Sequence, residues 1–236
     1  MIIKPIKTRV FKESEDIIAF IRSYIKKLPD KSVLVITSKV VSFSEGRLVE
    51  IKNKSTRERL IKQESEFAIR TKYTWLTVKD GTVMASSGID ESNANGKLVM
   101  LPRDSFKFAA RIRRELMHIY KVRKLGVLIT DSRLLPLRAG VVGVALGYAG
   151  FKGVRDYRGK KDIFGRKLKY SRTDVADALA TAAVLTMGEG AEQQPLALIT
   201  NARVEFVDRI NRKELYIDPK EDLYAPIFEK IKSQQV

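Results

Sequence analysis

Apolar residues recur at helical spacing over residues 12–27, where Ile17, Ile18, Phe20, Ile21 and Ile25 alternate with polar positions. This predicts an amphipathic helix, stopped by Pro29-Asp30. Residues 32–41 form a nearly continuous apolar run around Val33-Leu34-Val35-Ile36-Thr37 and predict a buried strand, with a polar turn after it over 42–46. Ser55-Thr56-Arg57-Glu58 has the form of a capping box and predicts a helix to about Ala68. Two short strands follow, near 75–78 and 82–85, joined by the tight-turn pair Asp80-Gly81. A second strong helix spans 105–121, with Phe108, Ile112, Leu116, Ile119 and Tyr120 facing the core, and a strand spans 125–130. Residues 139–150 are apolar but carry Gly140, Gly143, Gly147 and Gly150, the pattern of a bent or closely approached strand. A basic, glycine-containing loop over 152–172 leads into an alanine-rich helix over 174–187 and a strand over 196–200. The lysine-containing tail after Tyr216 predicts a short helix. Helices and strands interleave without a regular βαβ rhythm, so the expected class is α+β. Neither repeats nor linkers divide residues 1–236, which fit one large domain or two interlocked small ones.

The chain has 236 residues, enough for a sizeable core. It carries no cysteine and one histidine, His118, on the polar face of its helix. Thiolate chemistry is excluded, and histidine triads or multi-histidine metal sites are unsupported. A metal here must be held by oxygen, which suits magnesium or manganese. No apolar run is long enough to span a bilayer, and with no export signal the expected compartment is the cytoplasm. The net charge of +17 favours anionic partners: nucleic acid, or phosphorylated and carboxylate substrates.

Three polar turns follow regular elements: residues 86–96, with Asp90, Glu91, Asn93 and Asn95; Thr130-Asp131-Ser132; and residues 187–195, with Glu189 and Glu192. Together they predict one composite site. Asp is common in turns for structural reasons alone. Glu189, however, sits near a helix carboxyl end, where a negative charge is unfavourable unless a cation compensates it. We therefore expect a cation among Asp90, Asp131 and Glu189. The segment 153–161 approaches the phosphate-binding loop pattern but has one spacer residue too many, and Lys161 stands where Ser or Thr is needed. Its density of cations instead predicts a substrate clamp, Arg155, Arg158 and Lys160, in preference to a nucleic-acid face.

The motifs Gly88-Ile89-Asp90-Glu91-Ser92-Asn93, Ile129-Thr130-Asp131-Ser132, Arg138-Ala139-Gly140, Asp162-Ile163-Phe164-Gly165-Arg166, Val175-Ala176-Asp177-Ala178-Leu179-Ala180 and Met187-Gly188-Glu189-Gly190 occur in this order. In that order they resemble the CofE family, the gamma-glutamyl ligases of the deazaflavin coenzyme F420, over roughly residues 1–200. The resemblance implies two intertwined subdomains, a butterfly-shaped homodimer and nucleotide-dependent addition of L-glutamate to a carboxylate. It matches Asp90, Asp131 and Ser132 to metal ligands. It matches Asn93, Thr8, Arg9, Val10, Phe11, Ser38, Lys39, Met187, Gly188, Glu189 and Gly190 to nucleotide contacts. We expect Asp90, Asp131 and Arg138 to form the catalytic group, with magnesium or manganese, GTP or ATP as co-substrate, and room for a monovalent cation. Two departures stand out. The run Arg133-Leu134-Leu135-Pro136-Leu137-Arg138 replaces the family's Gly-Arg-aromatic segment, and Phe43 replaces a lysine. The Asp-Ser…Pro-Leu-Arg form is similar to a bacterial branch assigned to folate metabolism, so a folate-type acceptor is our leading expectation. The deazaflavin precursor is the alternative. A basic nucleic-acid-binding protein that kept the fold and lost catalysis is the alternative of another class.

Overall fold

The computed structural model describes residues 1–51 and 54–227. In chain order its elements are β1 (Ile2–Ile6), α1 (Ile17–Tyr24), β2 (Ser32–Thr37), α2 (Ser38–Ser44), β3 (Leu48–Glu50), α3 (Lys54–Gln63), β4 (Phe67–Arg70), β5 (Trp75–Lys79) and β6 (Thr82–Ala85). They continue with β7 (Lys97–Val99), α4 (Ser105–Tyr120), β8 (Leu125–Leu134), β9 (Val141–Ala149), β10 (Val154–Asp156), β11 (Arg172–Asp174), α5 (Val175–Met187) and β12 (Leu196–Thr200). The mixture is α+β, as expected.

The central sheet has the order β1-β12-β2-β8-β9. β2 and β8 run parallel, and the other neighbours in this sheet are antiparallel. β2 is apolar at successive positions because both its faces are covered. Leu34 and Ile36 pack with α1, α2 and α4, while Val33 and Val35 pack with α5. The helices start where a carboxylate can take up free backbone N–H groups. Asp16 accepts from Ile18 N (2.8 Å), Asp104 from Lys107 N (2.8 Å) and Asp174 from Asp177 N (2.9 Å).

Between β2 and β8 the chain builds a smaller lobe from a three-stranded sheet, β4-β5-β6, a β3–β7 pair and α3. Its own core is Ile61, Ile89, Leu98 and Met100. The β5–β6 turn has left-handed Asp80 (φ 51°) and Gly81 (φ 68°), the geometry a tight hairpin requires. Among the described residues no helix is long and apolar enough to cross a membrane.

Several boundaries differ from expectation. Residues 12–15 stay outside α1, because Glu15 is bonded to Arg9 and to Lys12 N and the helix opens at its Asp16 cap. β2 stops at Thr37, and the expected end of that strand is the helix α2. α3 begins at Lys54, so Ser55 lies inside it and is not its cap; it ends at Gln63 because residues 67–70 pair with β5. β8 continues four residues past its expected end and pairs with β9 across a register shift at Ile129/Thr130. β1, which sequence reasoning missed, is an edge strand, where Pro5 is tolerated. The expected loop 152–172 contributes β10 and its pairing to β11. Part of the expected tail helix, residues 228–236, lies outside the described residues.

Candidate active site

β2 ends at Thr37, opposite Thr130 of its parallel neighbour β8. Beyond that point β8 loses this neighbour, and a cleft opens at the carboxyl end of the pair, the position where open sheets commonly bind ligands. Asp131 and Ser132 therefore project beside the cleft from within β8, not from a strand end as expected. Four sequence-distant segments close around it: residues 8–11, the start of α2, the 86–95 turn and the 187–195 turn after α5. The cavity holds about 790 Å³, ample for a small organic ligand.

Hydrogen bonds stitch these segments together. Thr8 N donates to Gln193 O (2.8 Å), and Asn93 Nδ2 donates to Gly190 O (3.2 Å). Ser132 Oγ donates to Glu189 Oε1 (2.6 Å), and Ser38 Oγ to Asp131 Oδ1 (3.1 Å). Lys39 Nζ reaches Asp90 Oδ2 (2.7 Å), Ser92 O (2.6 Å) and Ser92 Oγ (3.0 Å). Phe11 is buried edge-on against Phe20, with ring centroids 4.9 Å apart. The approach to Asp90 is sharply turned: Ser86, Ser87 and Gly88 are all left-handed, with φ of 52°, 54° and 69°. Only glycine fits the third place, since a Cβ there would lie 2.6 Å from the Leu101 side chain.

The two central carboxylates are held differently. Burial alone would raise the Asp90 carboxyl, but hydrogen bonds from Lys39 and Ser92 outweigh it and hold the group below its ordinary range. Burial raises the Asp131 carboxyl, Arg133 and Ser38 oppose this only partly, and the charge of Asp90 adds to the rise. Arg133 is buried on β8, with Nη2 3.7 Å from Asp131 Oδ2, and neither its Nε nor its Nη2 has a hydrogen-bond partner. Sequence reasoning gave it no role. The available signal is its position two residues from Asp131, on the same face of the strand.

The expected cluster is brought together only in part. Asp90, Asp131, Ser132 and Glu189 all line the cavity, as do the expected nucleotide-contact residues Thr8, Arg9, Val10, Phe11, Ser38, Lys39, Asn93, Met187, Gly188 and Gly190. Among the described residues, however, no three of Asp, Glu, His or Cys stand close enough to hold a metal ion. Asp90 is taken up by Lys39 instead. The donors present nonetheless suit a hard cation. Asp90, Asp131, Glu189 and Glu192 line the cavity against Arg9 and Lys39, so the lining carries four negative charges and two positive ones. Both cations are already paired, Arg9 with Glu15 and Lys39 with Asp90. A polyphosphate entering such a lining needs additional cations, and oxygen donors favour magnesium or manganese.

Four expected residues lie elsewhere. Arg138 is exposed on the β8–β9 connection and does not line the cavity, because β8 runs on past the cleft before turning. The clamp of Arg155, Arg158 and Lys160 is also outside the lining. These residues sit on and beside β10, near the amino end of α5, whereas the cavity is at its carboxyl end. Their groups are used locally: Arg158 on Asp156, Arg155 on Arg203 O, and Lys160 over the Tyr157 ring. Thr130, Ser92 and Val184 line the cavity without having been given a role, and Thr130 Oγ1 is buried without a partner.

A family model described as F420-0:Gamma-glutamyl ligase matches residues 5–201. A Methanococcus maripaludis protein (strain C7) named coenzyme F420:L-glutamate ligase is 36% identical over 215 residues, covering 84% of this chain and 86% of the relative. Proteins of the same name from Archaeoglobus fulgidus and Methanocaldococcus jannaschii are 30% and 32% identical. Those alignments cover 91% and 89% of this chain, and 92% and 84% of the relatives.

Proposed function

This chain belongs to the F420-0:gamma-glutamyl ligase family and is an amide-bond-forming ligase; from that premise we propose that it adds L-glutamate to a carboxylate of a deazaflavin acceptor of the coenzyme F420 type, driven by a nucleoside triphosphate. The observation that carries the reading is the convergence of Asp90, Asp131, Ser132 and Glu189 on one cavity with residues 8–11 and 187–195. A carboxylate does not acylate an amine unaided. In the proposed reaction an acceptor carboxylate oxygen attacks the γ-phosphorus, and the nucleoside diphosphate leaves. The glutamate amine then attacks the acyl carbon, inorganic phosphate leaves, and the amine loses a proton. Phosphoryl transfer of this kind needs mainly positioning and charge neutralisation.

Asp90, Asp131, Ser132 and Glu189 would hold divalent ions, which when bound neutralise phosphate charge. Residues 8–11 and the 187–195 turn would grip the nucleotide, with Val10, exposed in the lining, offering apolar surface to its base. Ser38 would keep Asp131 oriented at the cleft through its hydrogen bond, with the Arg133 charge nearby. The names of the relatives support the deazaflavin acceptor over the folate-type one we expected from sequence. Phe43, which lines the cavity, is the departure we read as a lost nucleotide contact, and it favours the reading in which catalysis is lost. Exposed Leu134, Leu135, Leu137, Ile163 and Phe164 offer apolar surface for a homodimer contact. The test combines purified protein, magnesium or manganese, GTP or ATP, glutamate and each acceptor, read by mass. Glutamate added to the deazaflavin, with diphosphate and phosphate released, is the expected result. Pyrophosphate with a nucleoside monophosphate would overturn the mechanism, and a clear preference for tetrahydrofolate would overturn the acceptor.

A further inference from the structure

We propose that Lys39 is an exchangeable internal cation, which holds the Asp90–Ser92 turn in the metal-free protein and passes to an incoming phosphate when a divalent ion takes Asp90. The inference rests on the reading that this cavity receives a nucleotide with its metal, and it assigns that site a sequence of events.

An ammonium has three N–H donors and no acceptor. Lys39 offers its donors to three atoms of one turn: Asp90 Oδ2, Ser92 O and Ser92 Oγ. While that arrangement lasts, none is left for a phosphate. Asp90 is equally engaged. Oδ1 accepts from Ser92 N (2.9 Å), and Oδ2 accepts from Ser92 Oγ (2.6 Å) as well as from Lys39. A divalent ion cannot bind Oδ2 with an ammonium 2.7 Å away without strong like-charge repulsion. One of the two cations must leave. Asp131 has no such obstacle, since its nearest cation, Arg133, stands at 3.7 Å, beyond hydrogen-bond distance.

The displaced lysine has one favourable destination. It stays anchored at the start of α2, inside the cavity, and it is half-buried. Arg9, the other cation of the described lining, is held by Glu15. With Phe43 at its own place in the lining, Lys39 is the cation positioned to follow a polyphosphate into the cleft. The same charge thus serves twice, first as a stand-in for the metal and then as a phosphate ligand.

The test measures Mn2+ binding to nucleotide-free protein at pH 8, by electron paramagnetic resonance of free Mn2+, for the parent, Lys39→Met and Ser92→Ala. Lys39→Met should bind Mn2+ about tenfold tighter, within the range of coupling between linked sites. Ser92→Ala, which removes one of the acceptors of Lys39, should move in the same direction by less. In saturating Mn2+, Lys39→Met should bind GTP or ATP about tenfold more weakly, so the two affinities change in opposite senses. Melting temperatures check that the variants are folded. Equal or weaker Mn2+ binding by Lys39→Met overturns the exchange and leaves the ligase reading intact. Tighter Mn2+ binding with unchanged nucleotide affinity overturns the transfer to phosphate. Absence of Mn2+ binding in every protein overturns both the exchange and the metal reading.

Discussion

Asp90 and Asp131 sit in one cavity with opposite shifts, and that difference decides what replacing them should do. The Asp90 carboxyl is drawn down by Lys39 and Ser92 against its burial, and the Asp131 carboxyl is pushed up by burial. Only ionised carboxylates bind a hard divalent ion well. Asp90→Asn and Asp131→Asn are each expected to lower turnover by about two to three decades, the loss typical of a preorganised charge contact. Ser132→Ala removes a neutral hydroxyl that water can replace, and is expected to cost about one decade. Turnover measured against magnesium concentration, with melting temperature as control, checks this. Near-normal turnover in both Asp variants would leave these residues without a part in catalysis. Both carboxylates were legible in the sequence, because each follows an apolar run with amide or hydroxyl neighbours. Arg133 was not: on a strand one arginine reads as a solvated side chain until β9 and the smaller lobe are seen to bury it.

At the scale of elements, α5 delivers Glu189 to Ser132 through Gly188, whose φ of 84° and ψ of 168° strain any other residue. A Cβ there would lie 2.4 Å from Glu192 Cδ, so Gly188→Ala must displace the Glu192 side chain, which accepts from Gly190 N (2.8 Å). The expected cost is about 1–3 kcal/mol, a fall in melting temperature of roughly 3–10 °C, together with weaker nucleotide binding. Calorimetry and a nucleotide titration on the same variant check both parts. In the smaller lobe, Glu64 joins the end of α3 to β5 and to Arg47: Arg47 Nη2 donates to it at 2.8 Å, and Lys79 is a second partner. Burial opposes ionisation of Glu64, but the two cations outweigh it and depress the carboxyl. Because the folded value is the lower one, this contribution is present above the ordinary range and is lost as pH falls through and below it. Glu64→Gln is expected to destabilise by about 1–3 kcal/mol at pH 7, with the difference from the parent shrinking towards pH 4. Urea unfolding at both pH values measures it. α1 and α4 were readable because their apolar residues recur at helical spacing, and α5 because it is rich in alanine. α2 was not, because seven residues rich in valine and serine fit the end of a strand equally well. The partners that shorten the expected α3 lie in β5, which local pattern does not reveal.

The whole molecule carries +17, yet the cavity lining holds four carboxylates against two cations. The positive charge therefore lies mainly outside the site, and its effect on anionic substrates should be exerted at a distance. The sequence displayed the cations of residues 152–172 but not their placement, which depends on α5 separating that loop from the cleft. A clamp would act through contact. It would lower turnover or weaken substrate binding at every ionic strength. A steering field acts on encounter and is screened within about 8 Å at physiological salt. We expect the triple variant Arg155→Ala, Arg158→Ala, Lys160→Ala to keep kcat and to lose about two- to tenfold in kcat/KM at low salt, within the range of electrostatic steering. The loss should vanish as salt is raised. Arg158 is already spent on Asp156, whose carboxyl it holds down at about 2, so the local pair should persist until that residue is removed. Steady-state kinetics from low to high salt separate the two roles. A salt-independent fall in kcat would mean that this hairpin contacts substrate, and in a homodimer the site it reached would be the partner's.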